Sequence, residues 1–301
     1  MICFDILYCF KGKIDIIKLY KFYWMLKTCL NLFNISIIYL LIIFISVILF
    51  SNFLSYFRFS VMATPTSNHD LSLGNENTMI ANPSCGEVVK GDVKLISNLV
   101  CNGDGLIVGA DNTKINLNGF SIKGPGINSN KVGIMVGAEN NIIVLGNGVI
   151  SGFQSGIYIS GSNNIIAKNV NMINNKVAIY LTGVKTADIN NNMINNNTIG
   201  IASHSNKDEI IRYNLFNENN LTGITFINSH NSTIEGNNLI NTTNGIFLDA
   251  QSSMNKVNFN NLFNNVLDIN NANNLPLNIN NNYYANNNCM TSLPSGLCIG
   301  R

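Results

Sequence analysis

The chain has 301 residues, of which 11% are charged, and a formal net charge of +2. An ordinary soluble domain is about one quarter charged, so this surface must be built largely from uncharged polar groups. Beyond Arg58 twelve basic residues stand against fourteen acidic ones with no basic stripe, which excludes nucleic acid as a partner.

Residues 1–27 carry five lysines and two aspartates and read as a basic leader kept in the cytoplasm by the positive-inside bias. From Thr28 to Phe57 there is no charged side chain. Crossing a bilayer takes about 20 apolar residues, so 28–57 is predicted to be a transmembrane or signal segment. Everything after Arg58 is then outside the cytoplasm. Val61-Met62-Ala63 has the small-residue spacing of a signal-peptidase site, but it lies well past the apolar core. The reading adopted is a retained membrane anchor, and cleavage near Ala63 would instead give a secreted protein. Met25-Leu26-Lys27 is an alternative start. Residues 58–84 show no apolar period and read as a linker.

From residue 85 to 301 the chain repeats itself. Gly105-Leu-Ile-Val, Gly133-Ile-Met-Val, Gly156-Ile-Tyr-Ile, Ala178-Ile-Tyr-Leu, Gly200-Ile-Ala-Ser, Gly223-Ile-Thr-Phe and Gly245-Ile-Phe-Leu follow at spacings of 28, 23, 22, 22, 23 and 22. A second marker, Ile or Val followed three residues later by Asn, sets Asn169, Asn192, Asn214, Asn237 and Asn260 at spacings of 23, 22, 23 and 23. Each unit holds short period-two strands punctuated by Asn, Gly, Ser and Thr. A leucine-rich repeat would need a regular Leu pattern and a propeller blade about 40 residues. The period predicts an all-β, single-stranded, right-handed parallel β-helix, one coil per unit, stacked at roughly 4.8 Å. Alternation turns Ile157, Ile159, Ile179, Leu181, Ile224, Phe226, Ile246 and Leu248 inward. The recurrent Asn column fits a stacked turn ladder, because asparagine tolerates left-handed backbone and bonds to main-chain groups.

Cys85-Gly86-Glu87, Leu99-Val100-Cys101, Gly103-Asp104-Gly105-Leu106-Ile107-Val108-Gly109-Ala110 and Leu117-Asn118-Gly119-Phe120-Ser121-Ile122 resemble the opening of secreted right-handed β-helix proteins. The likeness spans residues 85–298. It is to the periplasmic copper-accessory (NosD-like) repeats and to the carbohydrate-binding and sugar-hydrolase β-helix repeats. It implies the fold and an extracytoplasmic home; activity must be argued from the site, since one fold serves many functions.

Of seven cysteines, Cys3, Cys9 and Cys29 precede or open the membrane segment, and Cys85, Cys101, Cys289 and Cys298 lie beyond it. The two ends of such a β-helix stand on the order of 35–40 Å apart, beyond disulfide reach. Cys85 must therefore pair with Cys101 and Cys289 with Cys298, each staple contributing roughly 2–3 kcal/mol.

Outward residues after each repeat glycine form two columns, Met135, Tyr158, Tyr180, Ala202, Thr225, Phe247 and Gly137, Ser160, Thr182, His204, Ile227, Asp249. Aromatic rings beside small polar groups suit a polysaccharide or cell-surface glycan. Tyr158, Tyr180, Thr182, His204, Phe247 and Asp249 are the candidate ligand-binding residues. Catalysis by a lyase or glycoside hydrolase is the alternative, but hydrolysis ordinarily takes two flanking carboxylates and this face offers Asp249 alone. Lys207-Asp208-Glu209 reads as a solvated charged run, and Arg212 with Glu235 as a surface ion pair between coils. Copper handling is a second alternative, implied by the resemblance. The histidines His69, His204 and His230 are scattered and the exported cysteines are consumed by disulfides, so no metal site and no cofactor are predicted. Asn196, Asn220, Asn231 and Asn241 open glycosylation-type triplets of the kind an Asn-rich chain makes by chance.

Overall fold

The computed structural model describes residues 82–273, 275 and 281–299. The leader, the membrane segment and nearly all of the linker lie outside the described residues. Among those described no helix is long and apolar enough to cross a membrane.

The described chain is an all-β parallel β-solenoid of about nine coils. Its strands fall into three parallel sheets of ten, nine and eight members. One coil shows the rule: Ser155–Ser160 lies in the ten-stranded sheet, Ile165–Lys168 in the nine-stranded and Asn171–Ile173 in the eight-stranded. The chain then returns one strand further on, as Val177–Thr182. Ile157 is thus in register with Ile134 and Ile179, and the column continues through Ile201, Ile224, Ile246 and Ile269. Every member is wholly buried, and each such side chain contributes about 1.5–3 kcal/mol by leaving water. Because the partner is always the neighbouring coil, no coil is stable alone.

The repeat glycine follows from this stacking. A Cβ on Gly200 would stand 2.4 Å from the carbonyl oxygen of Gly223, and one on Gly105 2.1 Å from that of Gly133. The position needs close approach between coils, not unusual torsions.

Asparagine does two different jobs. At corners it adopts left-handed backbone, as at Asn147, Asn169 and Asn191 with φ of 51°, 55° and 54°, a conformation that it tolerates better than other side chains. Inside, it forms a buried ladder. Asn214 Oδ1 accepts from Asn192 N at 2.9 Å and from Asn192 Nδ2 at 3.0 Å, while Asn214 Nδ2 donates to Ile189 O at 2.8 Å. Asn237 and Asn260 repeat the pattern one and two coils on. Asn169 is not a rung. It lies exposed at the corner, and the ladder position in its coil belongs to Val170, whose N–H donates to Asn192 Oδ1 at 3.1 Å. A second buried ladder, Asn175–Asn197–Asn219, runs along another corner.

The disulfides pair Cys85 with Cys101 and Cys289 with Cys298, with Cα separations of 5.5 and 5.2 Å. Two expectations about charge need correction. Arg212 faces Glu235 in register but turns the other way and grips Asp188, Nε to Oδ1 at 3.2 Å and Nη2 to Oδ2 at 2.7 Å. Glu235 instead accepts from Asn258 Nδ2. In Lys207-Asp208-Glu209, Lys207 is exposed but Glu209 is wholly buried. Its carboxylate accepts from Ser203 Oγ at 2.5 Å and Asn206 Nδ2 at 3.0 Å.

Candidate functional site

The three sheets differ sharply in charge. The strands Val132–Val136, Ser155–Ser160, Val177–Thr182, Ile199–His204, Thr222–Ile227 and Asn244–Leu248 form the middle of the ten-stranded sheet and contain no Asp, Glu, Lys or Arg. The nine-stranded sheet carries Lys114, Lys168, Asp188, Arg212, Glu235 and Lys256 among others. Alternation explains how the first sheet presents its outer face. Ile157 and Ile159 go inward, which leaves Tyr158 and Ser160 outside.

On that face Met135, Tyr158, Tyr180, Ala202, Thr225 and Phe247 are in continuous register. Tyr158 and Tyr180 stack with ring centroids 5.6 Å apart and planes 7° from parallel. Burial, and secondarily the neighbouring Tyr158, raises the Tyr180 phenol above its ordinary pKa. It therefore stays protonated and able to donate as well as accept. Phe247 lies three coils beyond Tyr180, with Ala202 and Thr225 between. Ser160, Thr182, His204 and Ile227 form the parallel column two residues on. Thr182 and His204 are thus adjacent, and both are half-buried.

Asp249 is committed elsewhere. Its Oδ1 accepts from Asn228 N at 3.0 Å, Ser252 N at 2.8 Å and Ser252 Oγ at 2.7 Å. It fixes a turn two coils from His204, with Ile227 between. Half-buried Val177 and Ile199 border the aromatic column on its other side. Sequence reasoning missed them because a step at the repeat glycine breaks strict alternation: Gly156 and Ile157 are both buried.

Among the described residues no three of His, Cys, Asp and Glu form a group able to hold an ion. His230 spends Nδ1 on Ser253 Oγ at 3.0 Å and Nε2 on Asn228 Oδ1 at 3.2 Å, and Cys85, Cys101, Cys289 and Cys298 are disulfides.

Two comparisons bear on these observations. The family model described as "Periplasmic copper-binding protein (NosD)" matches residues 85–296, the whole body of the solenoid. No curated protein matches the chain.

Proposed function

Since the chain belongs to the NosD family of periplasmic copper-binding proteins, we propose that it is a right-handed β-helix held outside the cytoplasm, anchored through residues 28–57, that binds carbohydrate without catalysis. Its family and its two disulfides support the compartment, because structural disulfides persist where the surroundings oxidise. One observation carries the ligand class: an uncharged strand face with Tyr158 and Tyr180 stacked at its centre, flanked by Thr182 and His204. Sugars lay their CH faces on such rings while their hydroxyls meet adjacent polar groups.

The alternative of a polysaccharide lyase or glycoside hydrolase would rest on Asp249, and that carboxylate is engaged by Asn228 and Ser252. The family match itself favours a second reading, an accessory part in copper-site maturation. The described residues do not fit a copper centre built on His or Cys, because no three of His, Cys, Asp and Glu cluster among them and the four cysteines are disulfide-bonded. In that role this solenoid would act through protein contacts.

The test applies the purified full-length chain, in detergent, to a glycan array and assays the same mixtures for newly released reducing ends. Binding without release is expected. Released ends would make the protein an enzyme, and a chain that retains no glycan would transfer the case to the second reading.

A further inference from the structure

The six charge-free strands define a bay as well as a face. Tyr180 and Phe247 stand in one column, three strand spacings and so about 14 Å apart. Between them the column holds only small side chains, Ala202 with its methyl group and Thr225, which is 9% exposed. Tyr158 and Tyr180 cover each other's facing surfaces at 5.6 Å, so the ring face of this pair open toward the bay is that of Tyr180 on the Ala202 side. His204 stands two residues beyond Ala202 on the same strand, beside Thr182 on the preceding coil. Half-buried Ile199 borders the opposite side.

We infer that the ligand is an uncharged glycan that crosses the solenoid between Tyr180 and Phe247, lying over Ala202 and Thr225 along the strand direction. The inference deepens the carbohydrate reading and rests on it. A polymer running along the solenoid axis would meet the stacked tyrosines as a ridge. One running across it passes between Tyr180 and Phe247, with an aromatic residue at either side. The charge follows from the same strands: an anionic polymer lying over them would give up hydration where no Lys or Arg of the strands themselves compensates it.

The experiment uses the full-length chain and the neutral and acidic polysaccharides of a glycan array as probes. Ala202→Trp fills the bay and should weaken the best neutral ligand at least about tenfold, the usual effect of losing an anchor contact. Phe247→Ala removes the far wall and should do the same if the tryptophan variant fails to fold. Tyr213→Ala, an exposed aromatic on a different corner, should leave affinity within about twofold. Raising salt from about 0.05 to 0.5 M should also change affinity by less than about twofold, since screening acts on charge pairs and none is formed. Wild-type affinity in both Ala202→Trp and Phe247→Ala, or preference for acidic glycans with steep salt dependence, overturns the bay while leaving carbohydrate binding in place. Failure of the wild-type chain to retain any glycan overturns both.

Discussion

Glu209 offers the sharpest test of the interior. Its side chain is 1% exposed, its hydrogen-bond donors are Ser203 Oγ and Asn206 Nδ2, and no salt bridge reaches it among the described residues. Burial raises its pKa from 4.5 to about 7, with the two hydrogen bonds pulling weakly the other way. A carboxyl group whose folded pKa exceeds its unfolded one favours folding when protonated. Its contribution is therefore complete below about pH 4.5, falls as pH rises, and is gone above about 7. At 1.36 kcal/mol per unit, the shift amounts to about 3 kcal/mol. Glu209→Gln copies the protonated form: its oxygen can accept from Asn206 and its amide can donate to Ser203, whose Oγ already lies 2.9 Å from Ser229 Oγ. Denaturant unfolding followed by circular dichroism at pH 5, 6, 7 and 8 should give near-equal stabilities at the acid end. At pH 8 the Gln variant should be more stable by about 3 kcal/mol. Parallel profiles, or a wild type that gains on the variant as pH rises, would refute a buried neutral Glu209.

Removing a rung, Asn214→Ala, strands polar groups on both adjacent coils and should cost about 2–4 kcal/mol in the same unfolding assay. Asn169→Gly, at an exposed corner with φ of 55°, should change stability by less than about 0.5 kcal/mol. The double variant Tyr158→Ala with Tyr180→Ala should weaken glycan binding by about 1–3 kcal/mol at nearly constant stability, whereas Ile179→Ala should cost about 2–5 kcal/mol of stability through a cavity; normal binding with a large stability loss in the double variant would show the rings to be packing groups. The hydroxyl of Tyr284 is buried with no hydrogen-bond partner among the described residues, so Tyr284→Phe should be neutral or stabilising by about 1 kcal/mol, read from the denaturation midpoint. If residues 28–57 are a retained anchor, the protein stays with membranes through an alkaline wash, while a soluble form beginning at Thr64 would reveal a cleaved leader.

The solenoid was legible because its two strongest constraints act on residue type. Stacked inward positions demand Ile, Leu or Val, and close approach between coils favours glycine, so up to the strand Leu267–Asn271 the first recurs in every coil and the second in all but those of Ala178 and Asp268. The ladder was harder to align. The pattern of Ile, two residues and Asn is satisfied at Ile166, yet Ile166 shares a register with Asp188, and it is Ala167 that aligns with buried Ile189. Starting from the outward isoleucine shifted the first rung by one residue, to Asn169. Arg212 has charged neighbours on two coils, and sequence spacing alone does not rank Asp188 against Glu235. Glu209 was obscured by company. Lys207 and Asp208 suggest a solvated run, but Glu209 occupies the register position of buried Ala187 in the preceding coil. On the outer face of the ten-stranded sheet the aromatic column could be read from alternation, while the engagement of Asp249 by Asn228 and Ser252 depends on a turn that no period announces.

A stack of identical parallel coils has no intrinsic length. Any coil that ends in an unsatisfied strand edge is a template for another, and that is how cross-β fibres extend. Here both extremities are irregular. The first coil contributes only Leu99–Val100 to the eight-stranded sheet, and the ten-stranded sheet stops at Ser292–Leu293, each beside a short covalent loop closed by Cys85–Cys101 or Cys289–Cys298. The end strands of all three sheets, two or three residues each, give an incoming chain little to read. By holding these short end strands in place the staples would act as terminators as well as braces. Reduction of these bonds should then favour end-to-end growth, seen as a rise in light scattering at unchanged circular dichroism, and scattering unaffected by reductant would refute the idea.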